Sequence, residues 1–139
     1  MQDDKRTKFV RACLLRWNEP VLWGGLDCSE LVALAELDVR LPDRRGTFRA
    51  QDYATYNHED VEVPSSGDLG FYGASWRQVV HVIVAIDSHH CISADGATKK
   101  VTTLDGALAR GARVRLHTGH RWYGGASWLG WRRHFELDE

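Results

Sequence analysis

Apolar residues recur at helical spacing through the first part of the chain and at alternating positions through the second. Between residues 4 and 17, Phe9, Val10, Cys13, Leu14 and Trp17 fall on one helical face, which predicts a first helix. Residues 29–37 place Leu31, Val32, Leu34 and Ala35 inward, with Asp27 where an N-cap acceptor belongs, and Leu41-Pro42-Asp43 ends that segment. A third helix is predicted over 47–56, capped by Thr47. After Pro64 the period changes to short β-type runs at 69–72, 79–86, 91–94, 100–103, 113–117 and 128–135, with a helical turn over 104–110. Helices first and strands afterwards predict an α+β fold, N-terminal helices packed on one side of a C-terminal antiparallel β-sheet.

The length of 139 residues fits one domain, 1–139, with one core. Hydrophobic residues at 43% and charged residues at 27% are ordinary for a soluble globular chain, so disorder is not expected. A net charge of −1 with mixed signs gives no basic patch, so nucleic-acid binding is set aside. No apolar stretch approaches the roughly 20 residues of a membrane span, and the start Met1-Gln2-Asp3-Asp4-Lys5-Arg6 lacks the apolar core of a signal peptide. The chain is therefore expected to be made in the cytoplasm.

Three cysteines, Cys13, Cys28 and Cys91, leave an odd count with no paired spacing, and a disulfide framework is not expected. Cys13 and Cys91 sit in apolar patterns and read as small core side chains. Cys28 differs. It falls in the first turn of the second predicted helix, where unpaired N–H groups and the positive end of the helix dipole favour thiolate over thiol.

Four blocks of the sequence resemble the NlpC-type cell-wall cysteine peptidases, a bacterial and phage branch of the papain-like enzymes. They are Pro20-Val21-Leu22-Trp23-Gly24-Gly25, Asp27-Cys28-Ser29-Glu30-Leu31-Val32, the stretch from Pro64 through Gly67-Asp68-Leu69 to Tyr72, and His81-Val82-Ile83-Val84. They occur in the family's order and cover roughly residues 17 to 96. The resemblance implies a papain-like architecture, Cys28 as nucleophile and His81 as its base. It also implies hydrolysis of an amide bond in peptidoglycan stem peptides, usually after D-glutamate. A chain acting there without a signal peptide would need a delivery partner such as a phage particle, a holin or a secretion machine.

The family's third catalytic position, a dozen residues after the histidine, falls here on Ser93. Asp95, two residues on, shares its face if the strand continues, and a carboxylate would stabilise an imidazolium better than a hydroxyl. Both are candidates, and Asp95-Gly96 also reads as a turn. Trp23, Asp27 and Ser29 flank the nucleophile as candidate substrate-binding residues, Asp27 doubling as helix cap. Tyr53, Tyr56, Gln51 and Asp52 are further candidates for the cleft. Val21 stands where many relatives carry a cleft tyrosine.

No cofactor is expected. His89, His90 and Cys91 alternate faces and cannot easily converge on a metal ion, and His117, His120 and His134 read as surface or partly satisfied core residues. The Trp- and Gly-rich segment 121–133 reads as a final strand filling the core or as an aromatic ledge for sugar or peptide. Two other functions stay open beside the peptidase: a non-catalytic wall-binding or phage-tail module, and an acyltransferase or deacylase using the same thiol chemistry.

Overall fold

The computed structural model describes residues 4–22, 26–95, 103–120 and 126–139. The first helix, α1 (Lys5–Leu14), starts where the Asp4 carboxylate accepts the Thr7 N–H at 2.8 Å, and it buries Phe9, Val10, Ala12 and Cys13. The second, α2 (Cys28–Asp38), is capped by Asp27, which accepts the Glu30 N–H at 3.0 Å. Leu31, Val32, Ala33 and Ala35 are all buried. A helix apolar on so many sides belongs in the interior, and α2 packs against α1, the third helix and the sheet. That third helix, α3 (Ala50–Tyr56), begins later than the spacing around Thr47 predicts. The Asp52 carboxylate accepts the Arg49 N–H at 2.8 Å, while Thr47 N and Phe48 N close a turn onto the Arg44 carbonyl. Thr103 is also not the end of a strand. Its Oγ1 accepts the Gly106 N–H and caps α4 (Leu104–Arg110), and the rest of the predicted 100–103 strand lies outside the described residues.

Six strands follow in an antiparallel sheet of order β1-β6-β2-β3-β4-β5: β1 (Asp60–Val61), β2 (Leu69–Ser75), β3 (Gln78–Ala85), β4 (His90–Asp95), β5 (Arg113–Thr118) and β6 (Ser127–Arg132). The two-residue β1 has no signal of its own and owes its place to pairing with β6. The predicted last strand is shorter than its apolar pattern suggests, because the chain turns after Arg132 into a 3-10 turn, Phe135–Asp138. Phe71, Val82, Val84, Ile92 and Val114 join the helices in the main core, while Tyr72, Ile83 and Cys91 form a smaller cluster with Trp128 and Trp131. The core reading of those two tryptophans thus holds for half-buried rings, and residues 121–125 lie outside the described residues.

The turn before β2 is tied down at several points. Gly67 has φ +89°, and a Cβ there would meet Leu137 Cδ1 at 2.5 Å, so both backbone and space call for glycine. Asp68 is fully buried, paired with Arg6 at 2.9 Å and accepting the His134 N–H at 3.1 Å. Its carboxylate thereby joins α1, the sheet and the C-terminal segment.

A second buried polar network centres on Glu36 of α2. Its carboxylate meets Arg44 at 3.0 Å, His134 Nε2 at 2.8 Å and the Tyr53 hydroxyl at 3.0 Å, and Arg44 makes two further bonds to Glu136, at 2.7 and 3.1 Å. His134 is therefore an interior residue with both ring nitrogens engaged, Nδ1 facing the Gly67 carbonyl at 3.1 Å. Removing one partner from a buried ionic network strands the others without solvent. Arg44→Met is expected to destabilise the fold by about 3–5 kcal/mol, read as a drop in the urea midpoint. Arg45→Ala, which breaks only the exposed pair with Asp43, is expected to leave that midpoint in place.

Candidate active site

Cys28 is the first residue of α2, directly after the Asp27 cap. Asp27 Oδ1 also accepts the Ser29 hydroxyl at 3.0 Å, so its carboxylate is committed to the helix start. Opposite α2 lies β3, which carries His81, 2% exposed. The start of β3 is held from α3: the Gln51 amide donates to the Trp76 carbonyl at 2.9 Å and accepts the Val79 N–H at 2.8 Å. Gln51 thus braces the β2–β3 turn two residues before His81.

The β3–β4 register pairs Val84 with Ile92 and Ala85 with Cys91, and its continuation brings Asp95 beside His81. His81 Nε2 lies 3.7 Å from Asp95 Oδ1. Ser93, 1% exposed, donates its hydroxyl to the same oxygen at 2.6 Å, and His117 Nε2 sits 2.5 Å from Oδ2. The structure therefore brings Cys28, His81, Asp95 and Ser93 together, with Asp95 next to the imidazole and Ser93 behind Asp95. His117 joins them without having been singled out by the sequence. Its contact crosses from β5 to β4 diagonally, since His117 pairs in register with Cys91, four residues from Asp95 on the same face.

The electrostatics follow from these contacts. Burial alone pushes the His81 imidazole toward neutrality, but the Cys28 sulfur and the Asp95 carboxylate outweigh it and raise its pKa to about 9. Burial likewise works against the Asp95 charge, and the neighbouring His81 imidazole with the bonds from Ser93 and His117 overcomes it, holding the carboxyl below its usual range. Below pH 9 the arrangement therefore favours an imidazolium between the Cys28 sulfur and the Asp95 carboxylate, a cation placed where it can assist a thiol. The other two cysteines are buried, and burial pushes the Cys13 thiol far up.

Cys28 and His81 open onto a cleft of about 280 Å³, lined also by Asp27, Ser29, Arg49, Ala50, Gln51, Val79, Val80 and Ala94. Asp27 and Ser29 therefore reach the cleft wall, while Trp23 lies outside the described residues. Val21 is fully buried, its N–H bonded to the Ala112 carbonyl. Tyr53 is buried on Glu36, and the Tyr56 ring packs on Phe48 and Phe135, so neither lines the cleft. A larger groove of about 710 Å³ is lined by Asp4, Lys5, Lys8, Asp38, Arg40 and residues 137–139, with no cysteine, serine, threonine or histidine in its lining. Among the described residues no group of three or more His, Cys, Asp or Glu side chains is arranged to hold a metal ion.

No family model and no curated protein matches the sequence. Solved structures do match. The NlpC/p60 domain of the peptidoglycan hydrolase SagA superposes with a TM-score of 0.62 at 22% identity, over 81% of this chain and 88% of that one. The peptidoglycan hydrolase RipB of Mycobacterium tuberculosis gives 0.60 at 20% identity, over 93% of this chain and 64% of that one. An NLP/P60-family lipoprotein-like protein of Staphylococcus aureus gives 0.63 at 17% identity, over 96% of this chain and 42% of that one. The chain thus spans less than two thirds of the length of the latter two. It has the NlpC/p60 fold, an α+β architecture of the kind that the order of helices and strands predicts.

The titration of His81 tests the site independently of any substrate. With its pKa raised to about 9, the imidazolium persists through neutral pH and is lost as pH rises through that value. In ring-proton NMR, Cys28→Ala and Asp95→Asn are each expected to bring the His81 midpoint down. The larger drop is expected for Cys28→Ala, because the sulfur contributes the largest raising effect.

Proposed function

We propose that this chain is a cysteine hydrolase that cleaves an amide bond in the stem peptides of peptidoglycan through a thioester on Cys28. The observation that carries the reading is that Cys28 and His81 line one cleft, with the Asp95 carboxylate 3.7 Å from the His81 ring. It is supported by a fold shared with SagA and RipB, each described as a peptidoglycan hydrolase.

In this reading the Cys28 thiolate adds to the scissile carbonyl carbon. The oxyanion is met by the Cys28 N–H, which as the first helical N–H has no carbonyl partner within α2. As the tetrahedral adduct collapses, the C–N bond breaks, and the leaving amine takes the proton from the His81 imidazolium. The neutral imidazole then removes a proton from water, the hydroxide attacks the thioester carbon, and the carbon–sulfur bond breaks to release the acid and restore the thiolate. Asp95 holds the His81 ring in one orientation and stabilises its charged form, the part a carboxylate plays in a Ser-His-Asp triad. The exposed Arg49 gives the cleft wall a cation suited to a substrate carboxylate.

Purified peptidoglycan provides the test. The intact protein is expected to release new amino groups and soluble muropeptides, with mass spectrometry naming the bond. Cys28→Ala is expected to fall to background and His81→Ala by roughly 1,000-fold or more, as for removal of a triad member. Absence of release from several wall types would redirect the thiol chemistry to another acyl substrate, and undiminished release by Cys28→Ala would refute the mechanism.

A further inference from the structure

The role of His117 is the step beyond this reading, and it rests on Cys28, His81 and Asp95 acting as thiol, base and orienting group. We propose that His117 is a positioning residue whose Nε2–H fixes the Asp95 carboxylate against His81, so that the orienting unit is Ser93, Asp95 and His117 together. The 3.7 Å from His81 Nε2 to Asp95 Oδ1 is too long for a firm hydrogen bond. By itself it would not keep the carboxylate facing the ring.

What holds the carboxylate is the pair of bonds on its two oxygens, Ser93 Oγ on Oδ1 at 2.6 Å and His117 Nε2 on Oδ2 at 2.5 Å. With both oxygens tied, rotation of the group would cost both contacts. His117 is 13% exposed and Asp95 18%, so water competes weakly for either. Two arginines stand closer in the strand register, Arg113 across from Asp95 and Arg115 across from Ser93. Neither takes the position. Arg113 is exposed, and Arg115 donates to the Gly111 carbonyl at 2.6 Å. His90, on the same strand as Asp95, is paired with Asp87.

An arginine on Oδ2 would offset the negative charge that His81 needs, whereas an imidazole N–H fixes the carboxylate with a single donor. A proton on Nε2 suffices for that bond. A second proton on Nδ1 would find no acceptor among the described residues, since that atom is buried without a hydrogen-bond partner there. The function of His117 therefore reduces to one N–H at the right reach, which a glutamine amide can supply and an aliphatic side chain cannot.

Two readouts test this on the full chain: the pH profile of Cys28 alkylation by iodoacetamide, mapped by peptide mass spectrometry, and peptidoglycan turnover. His117→Leu is expected to move half-maximal alkylation to higher pH, because a loosened Asp95 supports the imidazolium less. It is also expected to lower kcat roughly 10- to 100-fold with KM little changed, the scale of a misplaced catalytic group. His117→Gln is expected to return both toward the wild type. A role in packing alone would scale the alkylation amplitude without moving its pH dependence. If the Leu variant does not fold, His117→Met takes its place in the comparison with Gln. The proposal is overturned if the donor-less variant keeps the wild-type alkylation profile, or if Gln is as impaired as Leu. Alkylation needs no wall substrate, so normal thiol reactivity without peptidoglycan cleavage would count against the proposed function and leave the role of His117 to be decided by the pH profile.

Discussion

The directional bonds made by one buried carboxylate, Glu36, decide how the cysteine helix lies in this fold. Hydrophobic burial drives α2 into the interior but is non-directional, and a helix with Leu31, Val32, Ala33 and Ala35 all buried could turn about its axis at modest cost. Glu36 removes that freedom. Its oxygens meet Arg44, His134 and Tyr53, which come from the turn before α3, the C-terminal segment and α3 itself. Cys28 lies eight residues earlier on the same rigid helix, about 12 Å along its axis at 1.5 Å per residue. The anchoring of one end therefore aims the thiol at the other.

The sheet performs the matching operation for the imidazole. Antiparallel register between β3 and β4 brings His81 and Asp95 alongside each other, and a slip of one residue would send one of them to the opposite face. Gln51 pins the beginning of β3 from α3, and Gly67 with Asp68 pins the beginning of β2. The site is thus assembled from rigid pieces, a helix start and two paired strands, each locked by polar contacts away from the reacting atoms. Such second contacts give catalytic groups their precision.

Much of this was legible in the residues. The capping aspartate before an apolar run locates the Cys28 helix, because capping is a local interaction within three residues. The change of period after Pro64 separates helices from strands for the same reason. The parity of a strand placed Ser93 and Asp95 on one face, and the structure shows one bonded to the other. Contacts between distant segments were not legible. Glu36, Arg44, His134 and Glu136 look like solvated charges until the fold gathers residues almost a hundred positions apart. His117 reads from the sequence as a surface or partly satisfied core residue because its partner lies diagonally across a strand pair, a relation fixed by sheet twist and side-chain lean that composition does not encode. The start of α3 was misplaced because two side chains compete for it, and Asp52 reaching back to Arg49 prevails over Thr47.

The proposed chemistry rests on a sulfur, an imidazole and a carboxylate in sequence, the middle member favoured as imidazolium below about pH 9 by its two neighbours. The proposed mechanism passes through a covalent intermediate on Cys28. Incubation with purified muropeptides, acid quenching within the first turnover and intact-mass spectrometry would examine it directly. The account predicts an added mass equal to the acyl half of the substrate, mapping to Cys28, lost on hydroxylamine treatment and absent from Cys28→Ala. Turnover without any adduct on Cys28, in a protein where Cys28→Ala still cleaves, would contradict it.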